Sequence, residues 1–203
     1  MIENKKIFIT GASGGIGSAI CDKFIKKNYK LVLTSSSKNK ISNLKEIYGD
    51  DHYYYQVDLS DASNLQNCLD IISKEHKDIS IIVNNAGKTH DNLIFRMKSE
   101  QWSEVIQTNL NSNFQIIKSL LPNMLTNKYG KIIGISSIVG STGNPGQANY
   151  VASKSGLVGL YKSIALEVAR RNINVNIISP GFISTSMTDN LNEDQKEQYL
   201  SRI

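Results

Sequence analysis

Short apolar runs rich in β-branched residues alternate with helix-length stretches along the whole chain, and that alternation leaves few folds open. The runs predict strands at 5–10, 31–33, 53–57, 79–83, 131–136 and 175–178. Apolar residues at helical spacing predict helices near 18–27, 41–48, 62–75, 99–125 with a break near Thr108, and 150–170. Near-continuous apolar strands separated by helices require a parallel sheet buried on both faces, because each right-handed crossover lays a helix over the sheet. The expected fold is a doubly wound α/β sheet. Pro122, Pro145 and Pro180 are each expected at an element boundary.

At 203 residues, 40% hydrophobic and 20% charged, with a mean hydropathy of -0.26, the composition is that of a globular chain able to bury a core. One domain over 1–203 is expected. No basic segment leads into an apolar run at the amino end, and no stretch reaches the roughly 18 apolar residues of a membrane span. Cys21 and Cys68 match neither a Cys-x-x-Cys pair nor a disulfide framework, which fits a reducing, cytoplasmic setting. Both read as small core hydrophobes. His52, His76 and His90 are scattered, so neither a metal site nor a His-based triad is expected. The net charge of +5 reads as solvated surface. A basic stripe interleaved with aromatics is missing, so nucleic acid is not an expected partner.

Open parallel sheets bind ligands at the carboxyl ends of their strands. Here the first strand ends in Gly11-Ala12-Ser13-Gly14-Gly15-Ile16-Gly17, the third at Asp58, the fourth in Asn84-Asn85-Ala86-Gly87, the fifth in Ser136-Ser137, and the sixth leads to Pro180-Gly181. All are expected to line one crevice. Gly11, Gly15 and Gly17 would let the backbone approach a pyrophosphate and aim the next helix at its charge; a turn needed only for packing is the other reading. Gly87-Lys88-Thr89 is not a Walker-type loop, since the earlier glycine is replaced by Ile82. Tyr150 and Lys154 lie one helical turn apart, where the cation would favour phenolate. Such a pair arises by chance about once in a chain this rich in tyrosine and lysine. Its weight comes from Ser137 and the glycine turn upstream.

Taken in order, the glycine motif, Asn84-Asn85-Ala86-Gly87, Asn109, Ser137, Tyr150, Lys154 and Pro180-Gly181 resemble the short-chain dehydrogenase/reductase family, which implies a Rossmann-type sheet. His90-Asp91-Asn92-Leu93-Ile94-Phe95-Arg96-Met97, Ser137-Ile138-Val139-Gly140, Gly143-Asn144-Pro145-Gly146-Gln147-Ala148-Asn149-Tyr150 and Pro180-Gly181-Phe182-Ile183 are similar to the bacterial 3-oxoacyl-acyl-carrier-protein reductases of fatty-acid synthesis. The resemblance covers essentially the whole chain. It implies that Tyr150 donates a proton to the substrate carbonyl, Ser137 hydrogen-bonds the developing oxyanion, and Lys154 holds the nicotinamide ribose. It also implies that Asn109 fixes a water linking Lys154 to solvent; a helix-bending polar residue is the alternative for Asn109. Gly11, Ser13, Gly15, Ile16, Gly17, Thr34, Ser35, Asp58, Asn84, Ala86, Gly87, Tyr150, Lys154 and Ile183 are implied to bind the cofactor. Asp58 can equally be a polar residue at a helix start.

Cofactor choice turns on the end of strand two, where a carboxylate would hold the 2′-hydroxyl of NAD and repel a 2′-phosphate. Thr34-Ser35-Ser36-Ser37-Lys38 stands there instead, and hydroxyls with a nearby lysine suit NADP. Gly14 departs from the arginine common in relatives. The resemblance further implies that Lys128 and Arg171 dock the acidic acyl carrier protein near the site entrance, with solvated helix-end charge as the plain alternative. It implies a homotetramer, and it implies that the family's last strand and preceding helix, roughly 30 to 40 residues, are missing after Ser201-Arg202-Ile203, leaving strand six as a sheet edge. The implied activity is NADPH-dependent reduction of 3-oxoacyl-acyl-carrier-protein to the 3-hydroxyacyl form. The alternatives are a reductase of an acyl-CoA or small ketone, and a truncated cofactor-binding form with little turnover.

Overall fold

The computed structural model describes residues 5–183. Its strands are β1 (Lys6–Thr10), β2 (Lys30–Ser35), β3 (Tyr53–Gln56), β4 (Ile79–Asn84), β5 (Gly130–Ile135) and β6 (Ile173–Ile178). They form one parallel sheet ordered β3-β2-β1-β4-β5-β6. The order reverses between β1 and β4, and the connections leaving those neighbours part to opposite faces, which opens a crevice at their carboxyl ends.

Side chains alternate between the two faces of each strand. Ile7, Ile9, Leu31, Leu33, Ile81 and Val83 therefore share one face, packed with Cys21 of α1 (Gly15–Ile25) and Leu44 of α2 (Lys38–Tyr48). Phe8, Val32, Ile82 and Ile132 share the other. There they meet Leu65, Leu69 and Ile72 of α3 (Ala62–Glu75), Ile116 and Leu120 of α5 (Ser112–Asn127), and Leu157, Tyr161 and Ile164 of α7 (Ala148–Val168). Two shorter helices, α4 (Ser99–Ile106) and α6 (Val139–Thr142), border the site. Burial pushes the Cys21 thiol up to about 12, so it is a core hydrophobe rather than a nucleophile.

Several boundaries differ from the expectation for physical reasons. Helix α1 begins inside the glycine turn, capped by Gly14 in an extended conformation, because the turn's glycines carry helical geometry that their low propensity hides. The break expected near Thr108 is a π-helical turn, Gln107–Asn111, between α4 and α5. Pro122 lies inside α5 instead of at a boundary. It removes one N–H from the ladder, and the buried Leu120 and Met124 on either side hold the helix across the gap. Ser201-Arg202-Ile203 lies outside the described residues. Among the described residues, β6 edges the sheet, and no helix is long and apolar enough to cross a membrane.

Candidate active site

The crevice contains two adjoining clefts that share Ile16, Asn85 and Gly87. The outer one, of about 430 Å³, lies over the turn between β1 and α1. Gly11 has φ +66°, and a Cβ there would come within 2.9 Å of the Ala86 Cα. A Cβ at Gly17 would overlap the Gly11 carbonyl, so only glycine permits this turn. The Thr10 hydroxyl accepts the N–H groups of Asn85 and Ala86, each at 3.0 Å. Asn85 Nδ2 donates to the carbonyls of Thr10 and Gly11, each at 3.1 Å. These bonds lock the end of β4 against the glycine turn and leave the amino end of α1 facing the cleft.

Ser13, Thr34, Ser35 and Ser36 supply hydroxyls to the same cleft, with Ser13 Oγ 3.1 Å from Ser35 Oγ. No carboxylate stands at the end of β2. Asp58 lines the far wall, where its Oδ1 accepts from the Ser60 N–H at 2.9 Å and the Ser60 hydroxyl at 2.6 Å. Capping of α3 falls instead to Asp61, which removes the plain alternative for Asp58.

The inner cleft, of about 200 Å³, is lined by Ser137, Tyr150, Lys154, Asp91, Gln147 and the segment 180–183. Lys154 is 3% exposed; its Nζ donates to the Ile135 carbonyl at 2.8 Å and lies 5.5 Å from the centre of the Tyr150 ring. Burial pulls this ammonium down to about 8, because an ion loses hydration that one carbonyl only partly replaces. Gly87 packs closely on both groups: a Cβ there would sit 3.3 Å from Lys154 Nζ and 3.4 Å from Asn109 Oδ1.

Asn109 lies in the π-turn and is fully buried. Its Oδ1 accepts the Lys88 N–H at 2.9 Å, while Nδ2 donates to the Lys88 carbonyl at 2.9 Å and the Ser153 hydroxyl at 3.0 Å. Ser153 in turn donates to the Tyr150 carbonyl at 2.7 Å. The inserted residue of a π-turn rotates a side chain that an unbroken helix would aim elsewhere. Here that rotation joins the loop after β4 to the start of α7. Asn149 reinforces the join, its Nδ2 donating to the carbonyls of His90 and Gln101 at 3.0 and 3.2 Å.

Behind the π-turn runs a buried polar chain. Asn84 Nδ2 donates to Tyr161 Oη, Tyr161 Oη to Asn113 Oδ1, and Asn113 Nδ2 to the Asn109 carbonyl, each at 2.8 Å. The Tyr161 ring fills the space that Gly134 leaves vacant. Tyr161→Phe keeps the ring but strands one donor and one acceptor, so a loss of about 2–4 kcal/mol is expected in urea unfolding.

The structure brings Gly11, Ser13, Gly15, Ile16, Gly17, Thr34, Ser35, Asp58, Ala86 and Gly87 to the outer cleft, and Ser137, Tyr150, Lys154 and Ile183 to the inner one. Asn109 lines neither cleft and acts from behind, through Lys88 on the wall of the outer one. Asn84 is a correction: it is 1% exposed and lines neither cleft. It shares the strand face of Ile82 and points into the helix layer, whereas Asn85 opens onto both clefts. The place of Lys128 and Arg171 differs from the expected one near the site entrance. They stand just before β5 and β6, with Asn172 Nδ2 donating to the Lys128 carbonyl at 3.1 Å. In a parallel sheet that is the amino end, opposite the mouth of this chain's own crevice. Thr10, Ser153 and Lys40 are contributors that the sequence reading missed, and Asn85, expected in the crevice, lines both clefts though it was not among the implied cofactor contacts.

Fold and site together define an α/β oxidoreductase. The chain belongs to the short chain dehydrogenase family, whose pattern matches residues 5–196. It is 41% identical over 201 residues to the 3-oxoacyl-[acyl-carrier-protein] reductase FabG of Salmonella typhimurium, covering 99% of this chain and 82% of that protein. The FabG reductases of Buchnera aphidicola and Rickettsia felis are 43% and 45% identical over 202 residues, covering 100% of this chain and 83% and 82% of those proteins.

Proposed function

We propose that this chain reduces the 3-oxo group of an acyl thioester carried on acyl carrier protein, using NADPH. The observation that carries the reading is the meeting of Ser137, Tyr150 and Lys154 in a cleft that opens directly onto the glycine cradle. The cradle fits a dinucleotide, because Gly11, Gly14, Gly15 and Gly17 line it without side chains and the amino end of α1 faces it. Hydroxyls without a carboxylate at the end of β2 favour a 2′-phosphate over a bare ribose.

When bound, the nicotinamide supplies a hydride to the carbonyl carbon. Tyr150 gives the phenolic proton to the carbonyl oxygen, so the thioester gains two hydrogens and becomes the 3-hydroxyacyl form. Ser137 donates a hydrogen bond to that oxygen as charge grows on it. Lys154, held at the Ile135 carbonyl, keeps a cation beside the phenolate left behind. Asn109 fixes the turn through which solvent protons return to Lys154.

One observation favours a second reading, an acyl-CoA or small ketone substrate: the basic pair Lys128 and Arg171 does not flank this cleft. The carrier-protein reading therefore rests on the relatives. An oligomer belongs to the same proposal, supported by the exposed Phe95, Phe114, Leu166 and Ile178. The test is NADPH oxidation by the purified chain with acetoacetyl-acyl-carrier-protein and acetoacetyl-CoA, with light scattering on the same sample. We expect kcat/KM for the carrier-bound substrate to exceed that for the CoA thioester at least tenfold. Equal values favour the second reading, and NADPH binding without turnover overturns both.

A further inference from the structure

We propose that Lys40 is the cation that selects the 2′-phosphorylated dinucleotide; this rests on the NADPH reading above and assigns a residue to it. Lys40 is in the first turn of α2 and lines the outer cleft together with Ser13, Ser35 and Ser36. Lys38, nearer to β2 in sequence, is not on that wall.

Charge accounting singles Lys40 out. Of the two lysines that line the outer cleft, Lys40 and Lys88, Lys88 is engaged with Glu104. Lys40 makes no ion pair among the described residues. The carboxylate on the cleft wall, Asp58, accepts from Ser60 two residues on in the same loop. A phosphate at the β2 corner would meet an ammonium that has no ion-pair partner among the described residues, together with a cluster of hydroxyls. Gly14 leaves the opposite lip of the cleft uncharged.

The lysine also breaks a local rule. A cation in the first turn of a helix opposes the helix dipole, and α2 has no acidic residue there to offset it. Ser37 caps the helix by accepting the Lys40 N–H at 3.4 Å, which anchors the backbone and leaves the side chain to reach over the cleft. Lys38 shares that first turn, so it is the place on the cleft wall that distinguishes Lys40.

The experiment is calorimetric binding of adenosine 2′,5′-bisphosphate and of 5′-AMP to the full chain, which reads the phosphate contact without turnover. The wild-type protein is expected to prefer the bisphosphate. Lys40→Met, which keeps the stem and removes the charge, is expected to weaken the bisphosphate about tenfold and leave 5′-AMP unchanged, whereas Lys38→Met changes neither. Lys40→Glu is expected to reverse the preference. If wild type binds both ligands equally, the NADPH reading fails. If wild type prefers the bisphosphate and Lys40→Met retains that preference, Lys40 is not the selector and the NADPH reading stands. Thermal melts of each variant establish that the fold is intact, so an unchanged affinity counts against the proposal.

Discussion

Tyr150→Phe is expected to lower kcat about 10³-fold while NADPH affinity stays within a factor of two. The variant removes one oxygen from the inner cleft and nothing from the outer one, where the dinucleotide cradle is made of Gly11, Gly17 and the β2 hydroxyls. Its backbone anchors survive, since Asn149 Oδ1 accepts the residue's N–H at 2.8 Å and Ser153 holds its carbonyl at 2.7 Å. The loss should therefore appear in the chemical step and be equal in kcat and kcat/KM. Stopped-flow turnover with fluorescence titration of NADPH measures both. Retained turnover would show that another group supplies the proton.

Lys154→Met is expected to cost about 10²–10³ in kcat and to change how stability depends on pH. In the folded chain this ammonium is pulled from its ordinary 10.5 down to about 8 by burial. Between those values the unfolded chain binds the proton and the folded chain has released it. Wild-type stability therefore rises across that window relative to a chain without the group. Below pH 8 both states are protonated and the penalty of burying the charge is constant. The stability difference between wild type and Lys154→Met should thus move in favour of wild type from about pH 8 to 10.5, by up to about 3 kcal/mol. Cys21 and Tyr161, whose ionisation burial pushes up, are common to both chains and cancel. Urea unfolding at half-unit pH steps reads the difference, and a flat profile would mean that Lys154 is solvated.

Much of the site is legible in the sequence because its parts are local. Gly11 to Gly17 is a turn whose spacing carries its own steric reason, and Tyr150 with Lys154 is one turn of one helix. The β2 end declares itself by the carboxylate it lacks. Asn84 was also readable: strand alternation places it on the face of Ile82, and only Asn85 could open onto the clefts. The position of Lys128 and Arg171 was readable in the same way, since residues that precede parallel strands lie at the end opposite the crevice. For Lys128 and Arg171 the family resemblance pointed past that rule, and for Asn84 the strand end was read as a whole without regard to which face each residue takes.

The chain's own pattern determined the order of strands and helices, the parallel sheet and the crevice at its switch point, because hydrophobic period and crossover handedness act over a few residues at a time. Tertiary structure decided the rest. Tyr161 meets Asn84 across 77 positions and Asn113 across 48, and Lys40 reaches the cleft through the packing of α2. The π-turn that aims Asn109 is held by bonds to Lys88, Ser153 and Asn113 from three separate segments. Such contacts carry no period and no spacing; they exist only once buried polar groups must find partners in a closed core.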